Sequence, residues 1–214
     1  MLRARKIADP QVFGFTGPVT GLRERKKQAT RTALSSAALR LAVERGAENV
    51  RVDDIAKAAG VSPRTYNNYF ASREDAIVFA VTSDREARVA AAVRASPAGL
   101  ADAVVEAVVS QYTEPDENAR EALLLITTSP ALRTAYARSA TALEPPLTSA
   151  LAERVPDGPT ARVLAAAVAA AVRIALEQWA QPVTSGFVVV SGSLPDLLRT
   201  SLAPLVPALD AAER

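Results

Sequence analysis

The sequence predicts an all-α protein, with a three-helix head near its N-terminus and a larger helical body behind it. Three observations carry that expectation. Apolar residues fill 49% of the 214 positions but aromatics only 5%, so the apolar content is mostly Ala, Leu and Val, which suits helix-on-helix packing better than strands. Apolar residues recur at three- and four-residue spacing. Proline then divides the C-terminal two thirds into helix-length segments.

In chain order, residues 1–21 hold Pro10, Gly14, Gly17, Pro18 and Gly21 without helical periodicity and read as a flexible basic extension. From Leu22 to about Arg45, the positions Leu34, Ala37, Ala38 and Leu41 follow a helical template. Gly46 closes that helix at the position after its end. Two short helices follow, at about 52–59 and 63–70. Ser72-Arg73-Glu74-Asp75 opens the next as a capping box, with Ser72 as N-cap and Asp75 at the third helical position. The head therefore spans 22–80 and the body 81–214. In the body, breaks are expected near Ser96-Pro97, Glu114-Pro115, Ser129-Pro130, Asp157-Gly158-Pro159 and Gln181-Pro182. Pro145-Pro146 should kink or break the helix that starts near Pro130. Phe187–Val190 has strand composition but no plausible partner strand, and is assigned to a loop. A last helix runs from about Pro195 to Ala211, bent near Pro204.

Composition excludes several chemistries. The chain has no Cys and no His, which removes disulfides, thiolate zinc sites, cysteine nucleophiles, and the commonest general base and metal ligand. No cofactor and no metal are expected. The longest apolar stretch, Val163–Ile174, is interrupted by Arg173 and too short to span a bilayer. Arg3, Arg5 and Lys6 precede no apolar core, so no signal peptide is read, and a soluble cytoplasmic protein is expected. Charge is unevenly spread: residues 1–80 carry a net +6 and residues 81–214 a net −4, and all four lysines (Lys6, Lys26, Lys27, Lys57) fall in the first part. That polarity suggests a polyanion-binding head on a body with another task.

The strongest motif lies in the head. Val52-Asp53-Asp54-Ile55-Ala56-Lys57-Ala58-Ala59 forms a first short helix, with Ile55 and Ala59 inward and Ala56 small where the next helix must approach. Gly60 meets a turn that needs a left-handed backbone, and Val61 plugs it. Ser62 caps the second helix and Pro63 takes its first position, where a missing N–H costs nothing. Tyr66 and Phe70, four apart, face the core, leaving Arg64, Asn67 and Asn68 outward. Ala-xxx-Gly alone fits an ordinary helical hairpin equally well; the full string in a basic segment points to a helix-turn-helix. In the major groove Arg64 suits guanine and Asn67 or Asn68 suits adenine, while the helix N-terminus at Ser62 favours a phosphate. Arg23, Arg25, Lys26, Lys27 and Arg31 run along the first helix, where one or two, Lys27 among them, would meet phosphates.

Leu22–Val81 resembles the N-terminal domain of TetR-type (tetracycline-repressor-like) transcriptional regulators, on the string from Val52 to Phe70 followed by Ser72-Arg73-Glu74-Asp75-Ala76. The resemblance implies that Thr65, Tyr69 and Arg73 contact phosphates and that Pro63, Arg64, Asn67 and Asn68 form the base-reading surface. Asn67 stands where an aromatic is usual, and Arg51 where a capping Thr is common, which implies a weaker cap or an ionic phosphate contact. It further implies a homodimer on a palindromic operator and a small-molecule effector site among helices of residues 85–180. Thr127, Thr128, Tyr136, Arg173, Glu177 and Gln178 are the polar candidates for that site.

For pairing of subunits, Leu164, Val168, Ala171, Val172, Ala175 and Trp179 line one face of a helix at about 160–180, and Leu197, Leu198, Leu202, Leu205 and Leu209 mark the helix at 195–211. Two such helices per subunit make an isologous four-helix bundle. The alternative is that both are intramolecular core. The leading reading is a ligand-responsive repressor; a regulator without a ligand, or an activator, is the nearest alternative. An all-helical carboxylate enzyme is the rival from another class. It lacks a paired acidic motif beyond Asp53-Asp54, which a helix N-terminus explains.

Overall fold

Twelve α-helices and no strand make up the residues that the computed structural model describes, which are 19–113, 117–179 and 193–214. The head comprises α1 (Val19–Arg45), α2 (Val52–Ala58), α3 (Pro63–Asn67) and α4 (Arg73–Thr82). The body follows as α5 (Arg85–Ala95), α6 (Leu100–Thr113), α7 (Glu117–Thr128), α8 (Pro130–Ser139), α9 (Glu144–Leu151), α10 (Gly158–Trp179), α11 (Leu194–Leu202) and α12 (Val206–Ala212). α1 opens at Val19, so the last three residues assigned to the basic extension are helical. The rest of that extension, the breaks at Pro115 and Pro182 and the Phe187–Val190 loop lie outside the described residues.

Local chemistry fixes most boundaries. Ser129 caps α8 by accepting from the Leu132 N–H at 3.4 Å, with Pro130 following it, and Ser193 does the same for Asp196 in α11 at 3.4 Å. Pro145-Pro146 does break the segment begun at Pro130. A short 3₁₀ turn, Ala140–Leu143, intervenes, and the two prolines open α9, where their missing N–H groups need no partner. Pro204 sits in another 3₁₀ turn, Ala203–Leu205, that bends the last helix into α11 and α12. One break had no proline to announce it. α4 and α5 part at Ser83-Asp84, where the chain bends while staying near helical torsions.

The core is continuous from head to body, running from Leu34 through Ile77, Leu100 and Leu151 to Leu209. α4 is the joint: it packs on α1 in the head and on α8 in the body. Arg138 of α8 donates to Asp75 of α4 at 2.6 Å across that joint. The far end of the body is clasped by Glu213, which accepts from the Leu100 N–H at 2.8 Å and from Arg154 Nε at 2.9 Å. The Arg154 hydrogen bond, with the Leu100 amide, holds the Glu213 carboxyl below its usual range.

α10 runs along the body against α8, α9, α11 and α12. By length and composition it would be long and apolar enough to cross a membrane, but half of its most apolar window is buried inside the fold. The face assigned to subunit pairing from sequence is corrected here. Leu164, Val168, Ala171, Val172 and Ala175 are buried within the chain, as are Leu198, Leu202 and Leu209. The outward stripe of α10 is instead Val163 (68% exposed), Ala167, Ala170 and Ile174 (42% exposed). Periodicity identifies an apolar face; it does not say whether that face meets its own chain or another.

Candidate nucleic-acid interface and the polar sites behind it

The turn between α2 and α3 is built from backbone geometry. Gly60 takes φ +70°, its N–H donates to the Lys57 carbonyl at 3.1 Å, and the Val61 N–H reaches back to Ala56 at 2.9 Å. Those two bonds are a Schellman closure of α2, and Val61 packs on the core. Ser62 then caps α3 by accepting from the Thr65 N–H at 3.1 Å, and its hydroxyl also lies 2.9 Å from the Thr65 hydroxyl. Ile55 and Ala56 of α2 are fully buried in the core.

The inner side of α3 is locked by Tyr66, which is 1% exposed. Its hydroxyl donates to the Ser72 carbonyl at 2.7 Å, and its ring stands 5.8 Å from Phe70, which in turn meets Phe79 edge-on at 5.6 Å. Burial, reinforced by Asp75 and Glu74, pushes the Tyr66 hydroxyl well above its ordinary pKa. It remains a donor throughout the neutral range. With that side fixed, Pro63, Arg64, Asn67 and Asn68 are left exposed on the other. α3 ends at Asn67, shorter than the expected 63–70, but Asn68 keeps helical torsions as the C-cap. Arg64 and Asn68, four apart, therefore still share a face.

The remaining expected contact residues divide. Lys27 and Arg51 are exposed; Lys27 has only a loose pair with Glu24 at 3.8 Å, and Arg51 precedes α2 without a side-chain cap bond. Thr65 and Tyr69 are half-buried. Arg73 is the departure. Its Nη1 donates to the carbonyls of Glu48 and Val50 at 2.9 and 2.8 Å, and its Nε pairs with Glu74 at 2.8 Å. The side chain staples the start of α4 to the loop before α2, so its first role is positional. Arg73→Ala is expected to cost roughly 1.5–3 kcal/mol, the worth of hydrogen bonds to a charged group. An unaltered thermal midpoint in that variant would contradict the staple.

The expected effector residues are mostly not gathered. Thr127 and Thr128 are exposed and bond back to the Leu124 carbonyl of their own helix at 2.9 and 3.0 Å. Arg173 and Glu177 pair with each other on the surface of α10, and Gln178 is exposed beside them. Only Tyr136 is interior. A polar residue in an apolar stretch marks the solvent side of an amphipathic helix more often than a pocket, and that is the outcome for these five.

What sequence reasoning missed is the charge at the start of α5. Arg85 and Glu86 are buried, 4% and 6% exposed, and nothing in their local sequence sets them apart. Arg85 Nη2 pairs with Glu86 at 3.0 Å, Nη1 donates to the Tyr136 hydroxyl at 2.9 Å, and the guanidinium stacks 3.8 Å from the Tyr112 ring centroid. Burial alone would lower the Arg85 pKa; the adjacent tyrosine oxygens and Glu86 more than offset it and keep the group protonated. Burial pushes the Tyr112 hydroxyl up, against a smaller opposing pull from Arg85. Its oxygen and Arg85 Nε have no hydrogen-bond partner. No group of three His, Cys, Asp or Glu suited to a metal occurs among the described residues.

Comparison with known proteins matches these two parts separately. Residues 34–78 match the profile described as "Bacterial regulatory proteins, tetR family", and residues 94–210 match that described as "MftR C-terminal domain". The HTH-type transcriptional regulator TcmR of Streptomyces glaucescens is 40% identical over 79 residues, which are 37% of this chain and 34% of that protein. The matched segment thus spans about a third of that relative's length. Among solved structures, a TetR-family regulator from Streptomyces coelicolor A3 aligns over 92% of this chain and 99% of its own, with a TM-score of 0.53 and 21% identity. At that identity the likeness is one of fold.

Proposed function

The chain belongs to the tetR family of bacterial regulatory proteins and is a DNA-binding transcriptional regulator, and from that premise we propose that it is a homodimeric, cytoplasmic repressor released from a palindromic operator by a small-molecule effector. In this reading residues 22–80 are the DNA-binding head, 81–214 the effector-binding and dimerisation body, and 1–21 a basic extension. The observation that carries it is the exposed set Pro63, Arg64, Asn67 and Asn68 on a short helix whose opposite side is anchored by Tyr66. A recognition helix needs that combination, because base edges are read only when the side chains arrive in a fixed register. Lys27, Arg51, Thr65 and Tyr69 then meet phosphates around it, and Ser62 presents the capped helix end to the backbone.

The first test is selection of genomic fragments by the purified protein, followed by base substitution through the selected site at fixed salt. Arg64→Ala and Asn68→Ala are each expected to relax preference at one or two positions per half-site, at roughly 1–3 kcal/mol per lost bidentate contact. Non-specific affinity should fall more for Arg64, which adds charge, than for neutral Asn68. Lys27→Ala should weaken all sequences alike and reduce the slope of log affinity against log salt by about one. Unchanged base preference in both Arg64→Ala and Asn68→Ala would mean that this side of α3 does not face the bases.

For the dimer, the outward stripe of α10 at Val163, Ala167, Ala170 and Ile174 has the spacing of a helix–helix seam. α11, which packs on α10, adds half-exposed Leu194 and Leu197. Small side chains there permit close approach of two copies about a two-fold axis, setting the heads about 34–36 Å apart on DNA, one turn of the duplex. Ile174→Asp is expected to yield a folded monomer by light scattering at micromolar concentration, with operator affinity lost. A dimeric Ile174→Asp protein would place the seam elsewhere.

A further inference from the structure

The cleft at the joint between head and body offers a ligand site that differs from the surface positions expected from sequence. It encloses about 570 Å³ and is walled by α1 and α4 on one side and by α5, α8 and the 3₁₀ turn before α9 on the other. That volume is in the range of small-molecule sites. Its charges are mostly matched: Asp75 by Arg138 at 2.6 Å, and Glu86 by buried Arg85 at 3.0 Å. Arg31 is the exception. Among the described residues no carboxylate lies within salt-bridge distance of it. Its guanidinium is held over the Phe79 ring at 4.1 Å and the Phe70 ring at 5.4 Å, and its Nε is buried without a hydrogen-bond partner.

A guanidinium parked on two aromatic faces is desolvated on one side and keeps donors free in its own plane, which suits a planar anion arriving from the cleft. The surrounding walls supply Phe70, Val78, Phe79, Ala135, Ala142 and Pro146 for an apolar body. We propose that this cleft binds a small organic anion with an apolar, ring-sized body, its carboxylate or equivalent group paired with Arg31. The occupant touches the head through α1 and α4 and the body through α8 at once, and lies against Tyr69 at the end of the recognition helix. A ligand there bears directly on how the head sits on the body. The link to regulation rests on the repressor reading above; binding itself does not.

Calorimetry on the full chain tests it with 2-naphthoate and its uncharged isostere 2-naphthamide as probes. Naphthoate should bind the wild type with a dissociation constant below a millimolar, and the amide at least tenfold more weakly. Arg31→Gln should lose at least tenfold in naphthoate affinity and Arg31→Lys should recover part of it, which separates charge from packing. Ala142→Trp, an exposed position on the opposite wall, should block naphthoate while retaining the helical circular dichroism and thermal midpoint of the wild type. Equal binding of the two probes, wild-type affinity in Arg31→Gln, or no naphthoate binding up to millimolar concentration would each overturn the proposal. Fragment selection run in parallel keeps the readings apart. DNA bound without naphthoate binding rejects the cleft alone, and naphthoate bound by a protein that selects no DNA rejects the repressor alone.

Discussion

Arg85→Met is expected to destabilise the body by about 3–5 kcal/mol, because it removes one partner of a buried ion pair and leaves the other behind. Glu86 is 6% exposed and has Arg85 as its ion-pair partner. The Tyr136 hydroxyl also loses the donor 2.9 Å away, and the Tyr112 ring loses the stacked cation. The double variant Arg85→Met, Glu86→Gln should recover a large part of the loss, since a neutral amide costs far less to bury than a carboxylate. Thermal or urea unfolding of the two variants checks the difference. A double variant no more stable than the single would mean that packing around the guanidinium, rather than the pair, is what the site requires.

Tyr66→Ala is expected to cost about 3–5 kcal/mol in the head, the range for truncating a fully buried aromatic. Tyr66→Phe should cost only about 1 kcal/mol, since the ring packing against Phe70 survives and only the bond to the Ser72 carbonyl is lost. The contrast with the outward side of α3 is the diagnostic part. Tyr66→Ala should abolish specific and non-specific DNA binding together, because the helix is no longer held at its angle to α2. Arg64→Ala should change preference while leaving the fold intact. Binding to operator and to random duplex, measured with the unfolding midpoint, separates the two effects. If Tyr66→Ala lowered only specific affinity and left the midpoint alone, Tyr66 would be a contact residue.

The head was the more legible part of the chain because its constraints are local. Gly60, Ser62-Pro63 and Ser72 act on backbone groups within four residues of themselves, so their chemistry is written where it operates. The same holds for the proline-led starts of α8, α9 and α11. Long-range pairings left no such trace. Arg85 and Glu86 look in sequence like any exposed charges on a helix's first turn; only the approach of α6 and α8 encloses them. Arg73 has the composition of a phosphate contact, yet the carbonyls it satisfies lie more than twenty residues earlier. The apolar face of α10 was visible, but intramolecular and intermolecular burial impose the same spacing.

The turn between α2 and α3 bears on how far this sequence can drift and still be recognised. A Cβ built on Gly60 would meet nothing within 4 Å, whereas one on Gly46 would strike the Glu48 carboxylate at 2.6 Å. Both residues have positive φ, at +70° and +82°, but only Gly46 is also short of room. Lineages descending from this chain can therefore exchange Gly60 for Asn or Asp, the side chains most at ease in a left-handed backbone, with some backbone strain but no clash at Cβ. At Gly46 the exchange also displaces the Glu48 carboxylate, the far end of an exposed side chain that can swing aside at little cost. A pattern search that insists on glycine at either turn will pass over such descendants.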